Sequence, residues 1–218
     1  MLTRNNYYDR VKKEIERIVL NMVDDLDTLM DRCVEYLGAP SRENKSFLLA
    51  AEDEIDQEEK EIEDYILNFI SVQTLSITDI KWLFTMHRII RELERTGDQI
   101  TNVMTICNAK DEEEAKRTVE QFFELERAMV AGLKRGIESK EIATLENVMS
   151  QDAKVNELNR ETYQTMTHLM NDNKINAEFG SKLIIVSRFL ERFGDHIVNA
   201  AKLYKKYIIF ERDHERIT

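Results

Sequence analysis

Two segments of this 218-residue sequence carry the same ladder of oxygen-bearing side chains. On a helix, residues four positions apart lie on one face, so each ladder places two carboxylates and an amide in a row. Carboxylates at this spacing repel each other, and the glycine inside each segment costs about 1 kcal/mol relative to alanine. The two ladders are Glu94, Asp98 and Asn102, and Glu191, Asp195 and Asn199.

An acidic segment upstream of each ladder supplies further oxygen ligands. Glu52 and Asp56 are four positions apart in the first half, and Asp152 and Asn156 occupy the corresponding positions in the second. If these faces oppose the ladders, each half holds an oxygen-rich cluster of the kind that suits Mg²⁺, Mn²⁺, Ca²⁺ or iron. The repulsion within each ladder would then be relieved by a bound cation.

Ordinary salt bridges are the competing interpretation of the same acids, because charged ladders on helices are usually solvated faces. In that interpretation the glycines only allow close contact between helices. The acidic residues alone do not decide between the two interpretations. The arginines that would neutralise the acids are Arg91, Arg95, Arg188 and Arg192.

The ladders belong to an internal duplication. RELERTGDQITN (91–102) aligns with RFLERFGDHIVN (188–199), with identical residues at eight of twelve positions. Upstream, EDEIDQEEKEIE (52–63) matches DAKVNELNRETY (152–163) more weakly. Each half therefore contains an acidic middle segment followed by a third segment with a central glycine.

Apolar spacing predicts that these segments are helices. A stripe at i, i+3, i+4 and i+7 begins at Ile15 and ends at the Gly38-Ala39-Pro40 breaker. A second helix is predicted from about Ser41 to Phe69, and a heptad seam over 83–107 predicts a third that packs against long neighbours. Three more helices are predicted over about 111–137, 139–171 and 177–210.

Two polar stretches are predicted to connect helices. Residues 71–79 form the first, in which Ser76 or Thr78 caps the following helix. Residues 108–114 form the joint between the halves. We therefore expect an all-α protein of six long helices, arranged as two tandem three-helix bundles over 1–109 and 110–218.

Composition limits the classes of function. One proline and six glycines are too few for the turns of a β-sandwich or a Rossmann sheet. A net charge of −11 argues against nucleic-acid binding. No apolar run approaches the ~18–20 residues that span a bilayer, and the N-terminus lacks the apolar stretch of a signal peptide. Cys33 and Cys107 are expected to be reduced thiols of a cytoplasmic protein.

The segments ELERTGDQITN (92–102) and FLERFGDHIVNAAK (189–202) resemble the paired "ERxGDxxxN" signature of the PhoU family. The resemblance covers nearly the whole chain, including the connector VQTLSITDIK (72–81). It implies two tandem three-helix bundles and a regulator of phosphate homeostasis that is not an enzyme. Such a regulator restrains a Pst-type ABC phosphate transporter and its sensor histidine kinase when phosphate is plentiful.

The resemblance also implies partners and a place in the cell. We expect contact with the transporter's ATPase subunit and with the kinase, and a homodimer, since relatives often dimerise. The expected location is the cytoplasm, peripheral to the inner face of the membrane through the transporter, without insertion into the bilayer.

The family's metal-binding pattern is an acid followed, after three residues, by Asp. It carries over to Glu52–Asp56, Glu94–Asp98 and Glu191–Asp195, whereas Asp152–Asn156 has an amide that brings no charge. We therefore expect metal ions on these faces, with iron, zinc, Mg²⁺ and Mn²⁺ as the open choices. The first half, with four carboxylates, should bind more tightly than the second, with three.

Two other classes of function stay open at this point. A ferritin-like di-metal carboxylate oxidase would need inward Glu-x-x-His motifs from two helices, and Glu211-x-x-His214 is the one match. A metal-free helical scaffold would need no ligand on its acidic faces. His196, beside Asp195, is expected to be an ordinary surface histidine. No segment assembles a nucleophile, a base and an orienting group, so we expect no catalysis.

Overall fold

A computed structural model of the chain describes residues 4–72, 74–107 and 112–215. Every regular element in these ranges is a helix, and each half of the chain contributes three, which confirms the predicted all-α fold of two three-helix repeats. The helices are α1 (Arg4–Gly38), α2 (Arg42–Val72), α3 (Ile77–Ile106), α4 (Glu112–Ser139), α5 (Ile142–Asn171) and α6 (Ala177–Glu215).

Side-chain caps account for where α2 and α3 begin. Ser41 accepts a hydrogen bond from the backbone N–H of Asn44 (3.0 Å) just before α2. Ser76 caps α3 through a capping box, in which its hydroxyl accepts from the N–H of Asp79 (3.1 Å) and the Asp79 carboxylate accepts from the N–H of Ser76 (3.3 Å). The cap is therefore Ser76 and not Thr78.

The predicted connection over 71–79 is too long. α2 continues to Val72 and α3 begins at Ile77, because the capping box draws the first residues after Ser76 into the helix. The predicted joint over 108–114 falls partly outside the described residues, and α4 has already begun at Glu112.

Four of the helices, α1, α3, α6 and α4, form a ring, and α2 and α5 lie outside it. α3 packs against α6, and α1 packs against α4, so the first and third helices of both repeats build the contact between the halves. α2 contacts α1 and α3, and α5 contacts α4 and α6. Each middle helix therefore lies against the first and third helices of its own repeat. In the described part of the chain no helix is long and apolar enough to cross a bilayer.

The predicted heptad seam of the third helix is buried. Its members lie between α3's neighbours and are each less than 9% exposed, as expected for a helix that packs lengthwise against long partners. They are Leu83, Met86, Ile90, Leu93, Gly97, Ile100, Met104 and Cys107. Cys107 and Cys33 are free and buried, and burial raises the pKa of the Cys33 thiol well above its ordinary value.

Corresponding positions of the two repeats meet where α1 packs against α4. Arg127, which stands 100 positions after Asp27, donates hydrogen bonds to that carboxylate and to Asp31 (2.5 Å). Lys134 donates to Asp24 (2.7 Å) across the same contact. Identical acids at these facing positions would repel each other, so opposite charges at corresponding positions stabilise the contact between the repeats.

α4 also buries a carboxyl group that has no partner. Glu126 is fully buried, and neither of its carboxyl oxygens has a hydrogen-bond partner among the described residues. Burial raises the pKa of Glu126 well above its ordinary value, which favours the uncharged form of the carboxyl group in the folded protein. The corresponding residue of the first repeat is Leu26, a core residue that is 0% exposed.

Glu126→Leu should therefore stabilise the protein. The substitution removes a buried, unsatisfied polar group and installs the side chain that the first repeat already uses, so we expect the free energy of unfolding to rise by about 1–3 kcal/mol. The gain should be larger at pH 7 than at pH 5, because the pKa of Glu126 is higher in the folded than in the unfolded protein and the natural protein therefore loses stability as the pH rises. Urea denaturation at both pH values measures the effect.

Glu126→Gln is the matched control, because it keeps a buried polar group but cannot ionise. The free energy of unfolding of this variant should no longer show the pH dependence that Glu126 contributes. It should rise by less than that of the Leu variant. A Leu variant less stable than the natural protein would show that the carboxyl group makes a favourable interaction in the folded state.

Candidate functional site

The acidic face of α2 is held against α3 by a close contact at a glycine. A Cβ atom on Gly97 would lie 3.4 Å from Cδ1 of Ile55 and 3.6 Å from Cδ2 of Leu29. Ile55 therefore packs directly on the backbone of α3. Because Glu52 and Asp56 flank Ile55 on α2, this contact holds both carboxylates beside the ladder of α3.

The second repeat makes the same contact with different residues. A Cβ on Gly194 would lie 3.4 Å from Cγ1 of Val155 and 3.8 Å from Cε of Met129. Val155 and Met129 stand 100 positions after Ile55 and Leu29. Both glycines thus allow close packing of helices, and in each repeat that packing is what positions the acids.

The structure brings the four predicted acids of the first half together. We call Glu52, Asp56, Glu94 and Asp98 the first carboxylate cluster; all four are partly buried. Burial, with repulsion from Asp98 and Asp56, raises the pKa of Glu94 to about 7. Burial and repulsion from Asp56 also raise the pKa of Glu52 and of Asp98. The carboxylates of α2 and α3 therefore repel each other across the contact between the two helices.

Two arginines beside the first carboxylate cluster pair with other acids. Nε of Arg91 lies 3.7 Å from a carboxylate oxygen of Glu59, and Nη1 of Arg95 lies 3.8 Å from Glu92. No side chain of the first carboxylate cluster forms a hydrogen bond or ion pair with another described residue. Simple salt bridges therefore do not account for the acids of the first half.

In the second half three of the four predicted ligands already form hydrogen bonds. We call Asp152, Asn156, Glu191 and Asp195 the second cluster. The Asn156 amide donates to Oδ2 of Asp152 (3.0 Å), and Arg188 donates to Oε1 of Glu191 (2.6 Å). Burial and repulsion from Asp195 raise the pKa of Asp152. Oδ1 of Asp152 and Oε2 of Glu191 are buried without a described hydrogen-bond partner.

One difference between the middle helices explains why the arginines behave differently. In α2, Glu59 attracts Arg91. The corresponding residue of α5 is Asn159, which is uncharged and accepts a hydrogen bond within its own repeat. Without a carboxylate at that position, Arg188, the counterpart of Arg91, pairs with Glu191 of its own helix.

Neither cluster is arranged as a metal centre. Across 4–72, 74–107 and 112–215, no group of three or more His, Cys, Asp or Glu residues is placed so that it could hold a metal ion. The donor chemistry of the first carboxylate cluster nevertheless suits a hard cation, because it has four partly exposed carboxylates without other described partners. The second cluster fits less well, because an amide and an arginine already occupy two of its carboxylates. The eight predicted ligand positions stay predictions.

The expectation for His196 is wrong, because this residue lies at the contact between α3 and α6. Its Nδ1 is 2.8 Å from Oε2 of Glu92, and the Asn199 amide donates to the same oxygen (3.3 Å). Burial would raise the pKa of Glu92, but the hydrogen bonds from His196 and Asn199 outweigh burial and hold it below its ordinary value. The aligned segments differ at this position, because Glu92 of the first repeat corresponds to Phe189 of the second. That difference is the feature of the sequence that could have marked Glu92 as a residue with its own role.

The Glu211-x-x-His214 motif does not join either cluster. Glu211 accepts a hydrogen bond from the hydroxyl of Tyr207 and lies 3.7 Å from Nζ of Lys140. The His214 ring stacks on Phe210, with 4.3 Å between ring centroids. The motif therefore belongs to the end of α6, apart from the carboxylates that a ferritin-like oxidase would require.

Comparison with known proteins gives a family match in both repeats. The sequence matches the PhoU domain model over residues 19–107 and again over 119–204. It is 21% identical to the phosphate-specific transport system accessory protein PhoU homolog of Clostridium acetobutylicum, over 87% of this chain and 89% of that protein. It is 22% identical to the homolog of Deinococcus radiodurans, over 89% and 92%.

Solved structures show the same fold. The crystal structure of PhoU from Pseudomonas aeruginosa superposes with a TM-score of 0.80 at 17% identity, over 94% of this chain and 99% of that one. The phosphate transport system regulatory protein PhoU from Streptococcus pneumoniae superposes with a TM-score of 0.78 at 18% identity, over 90% and 94%.

The raised pKa values of the carboxylates predict how stability depends on pH. A group whose pKa is raised on folding binds its proton more tightly in the folded state, so its contribution is greatest below its ordinary pKa and is lost as the pH rises. For Glu94 the pH range over which this stabilisation is lost runs from 4.5 to about 7. The range is the same for Glu58, which is partly buried beside Asp25. The free energy of unfolding should therefore fall between pH 5 and pH 7, measured by urea denaturation without divalent cations.

Glu94→Gln should flatten this pH profile, because it removes one of the groups that titrate in the window. Glu157→Gln is the control: Glu157 is exposed on α5, and its hydrogen bond from Arg160 lowers its pKa, so it cannot produce a fall between pH 5 and pH 7. Equal slopes in the natural protein and the Glu94 variant would contradict the repulsion inferred within the first carboxylate cluster.

Proposed function

The chain belongs to the PhoU family, and we propose on that basis that it is an accessory protein that regulates phosphate uptake. The family match in both repeats is the observation that carries the proposal. Relatives over most of the chain are named as accessory proteins of phosphate-specific transport systems. The proposed role is to restrain a Pst-type ABC transporter and its phosphate-responsive sensor histidine kinase when phosphate is plentiful.

The proposed regulator works by binding and not by catalysis. Its partners would be the transporter's ATPase subunit and the kinase, at the cytoplasmic face of the membrane, with the regulator acting as a homodimer. Long helices that pack as a ring offer several extended faces for such contacts. These partners follow from family membership, and the charge of −11 favours partners with basic surfaces.

In this proposal the first carboxylate cluster binds a divalent or iron-type cation. The support is electrostatic, since burial and repulsion from neighbouring carboxylates raise the pKa of Glu94 to about 7 and the cluster has no other described partner. A cation there would neutralise the facing acids of α2 and α3 and strengthen the attachment of α2 to the ring. Binding requires the carboxylates to turn toward one another.

A metal-free helical regulator is the competing candidate, and one observation favours it. In the described part of the chain the carboxylates do not already converge into a metal-binding geometry. In the second cluster, moreover, Asn156 and Arg188 already donate to one oxygen each of Asp152 and Glu191. Direct titration of the protein with metal separates the two candidates.

Titration of chelator-treated protein with Mn²⁺ should find a tighter site in the first repeat. Asp98→Asn removes one of its four charges and should weaken that site by about tenfold, equivalent to about 1.4 kcal/mol, without changing the second. Asn156→Asp should strengthen the second. Calorimetry gives the affinities, and manganese anomalous scattering from a soaked crystal assigns each site to a repeat.

Glu59→Asn tests the structural reason for the ranking. The variant places in α2 the residue that α5 has at position 159, so Arg91 should turn toward Glu94 and weaken the first site. The double variant Glu59→Asn, Arg91→Ala should recover part of the lost affinity. Binding at neither repeat would favour the metal-free regulator, and tighter binding at the second would reverse the ranking.

Deletion of the gene should raise phosphate uptake and activate a phosphate-starvation reporter in cells grown with ample phosphate. The expected cause is loss of the restraint on the transporter and the kinase. Expression of the natural protein should return phosphate uptake and reporter activity to normal. Expression of the Glu157→Gln variant should restore both measurements equally well. Uptake and reporter activity that do not respond to the deletion would contradict the proposed function.

A further inference from the structure

α2 and α3 leave an apolar groove open near the end where they are connected. It has a volume of about 260 Å³, and we call it the α2–α3 groove. Leu67 is 66% exposed on one side and Phe84 is 59% exposed on the other. Contiguous exposed apolar surface of this kind marks a binding site more often than scattered single residues do. The groove is lined by Glu63, Ile66, Leu67, Ile70, Phe84 and His87.

The apolar surface extends beyond the groove along α3. Ile77 is 59% exposed and Ile80 is 37% exposed. They precede Phe84 by seven and four residues, so all three lie on one face of the helix. This exposed face leads from the start of α3 into the groove.

The second repeat provides an internal comparison, because the duplication places other residues at these positions. The counterpart of Leu67 is Thr167, and the counterpart of Phe84 is Ser181. The second repeat thus builds the same fold with polar side chains at these two positions. The apolar lining at Leu67 and Phe84 is therefore not required by the helix packing.

In the second repeat the counterpart of Ile70 packs against the third helix of its repeat, α6. Met170, the counterpart of Ile70, has its sulfur 2.6 Å from where a Cβ of Gly180 would lie. Met170 therefore occupies the space left by the missing side chain of Gly180. In the first repeat Ile70 is 43% exposed instead, and the groove beside it stays open.

The charge around the groove is predominantly negative. Glu63 is half exposed at the rim, and it continues an acidic stretch of α2, EEKEIED (58–64), which has five acids and one lysine. Of the basic side chains of α3 nearby, Arg91 lies 3.7 Å from Glu59 and Lys81 lies over the ring of Phe210, while Arg88 is exposed one turn after Phe84. Nε2 of His87, in the groove, lies 3.9 Å from Glu63, and the five acids of α2 still outnumber these basic groups. An occupant of the groove should therefore carry positive charge beside its apolar side chains.

The size of the groove indicates what kind of occupant it fits. A stable dimer interface takes about 800 Å² from each partner, whereas six residues line a groove with room for one or two large side chains. A second copy docked at this groove would bring its own acidic residues, Glu63 among them, against the negative rim, and these like charges would repel each other. An anionic membrane surface is disfavoured for the same electrostatic reason.

We propose that the α2–α3 groove is a docking site for an amphipathic helix of another protein. The helix would place large apolar side chains, one turn apart, against Leu67 and Phe84, and would carry lysine or arginine beside Glu63. This is the helix-in-groove mode of recognition, in which apolar anchors supply affinity and flanking charges select the partner. The proposal concerns the chemistry of the partner and holds whichever protein supplies the helix.

A labelled peptide of about 16 residues, with leucines on one helical face and lysines on the other, tests the proposal with the full chain. Fluorescence anisotropy should show saturable binding. Leu67→Thr and Phe84→Ser should each weaken binding by about tenfold or more, and Glu63→Gln by less. Because these first two variants carry the residues of the second repeat at surface positions, they should fold normally, which circular dichroism melting checks.

Two controls accompany the peptide experiment. Ile185→Ser removes another apolar residue, 45% exposed on α6, and should leave binding unchanged. A peptide with glutamate in place of lysine keeps the apolar face and should bind much more weakly. Absence of saturable binding, or binding that Leu67→Thr and Phe84→Ser do not affect, would overturn the proposal.

Two further measurements distinguish other occupants. A dimer detected by light scattering and dissociated by Leu67→Thr or Phe84→Ser would assign the groove to a second copy of the chain. Binding to vesicles of anionic phospholipid that the same variants abolish would assign it to a membrane surface. Either outcome would overturn the docking of a partner helix, and neither depends on the role in phosphate uptake.

Discussion

The close contact between each middle helix and the glycine of the third helix is the constraint on which the site depends. Ile55 on Gly97, and Val155 on Gly194, bring the helix axes near enough that acidic faces meet instead of pointing into separate solvent. The energy of apolar burial therefore holds carboxylates together against their mutual repulsion. Burial, together with this repulsion, raises the pKa of Glu94 and leaves the first carboxylate cluster suited to a cation.

Both repeats have the same three-helix scaffold, and they differ in sequence at positions that decide local contacts. Where α1 meets α4, corresponding positions face each other, so Asp27 and Arg127 attract where identical residues would repel. Away from the contact between α1 and α4, differences between the repeats change which side chains pair and which surfaces are apolar. Glu59 and Asn159 direct their arginines to different acids, and the groove of the first repeat has apolar residues where the second repeat has polar ones.

These differences separate roles between the repeats. The first repeat carries the more negative cluster and the exposed apolar groove on the same pair of helices, α2 and α3. In the second repeat Asn156 and Arg188 each donate to one acid of the second cluster, and Met170 packs against Gly180 of α6. In the proposed regulator, ligand and partner would therefore act mainly through α2, and the second repeat would serve as the more rigid half, joined to the first through α3 and α6.

The sequence by itself determined the six helices, the duplication and the ladders, because all three depend on spacing within one helix or between aligned segments. The i, i+4 rule placed Glu94 and Asp98 on one face without knowledge of any neighbour. The tertiary structure alone decided which groups meet across helices: that Arg91 pairs with Glu59, that His196 bonds to Glu92, and that Glu126 is buried. Such contacts join residues about 30 to 100 positions apart, and the pattern within one helix carries no information about them.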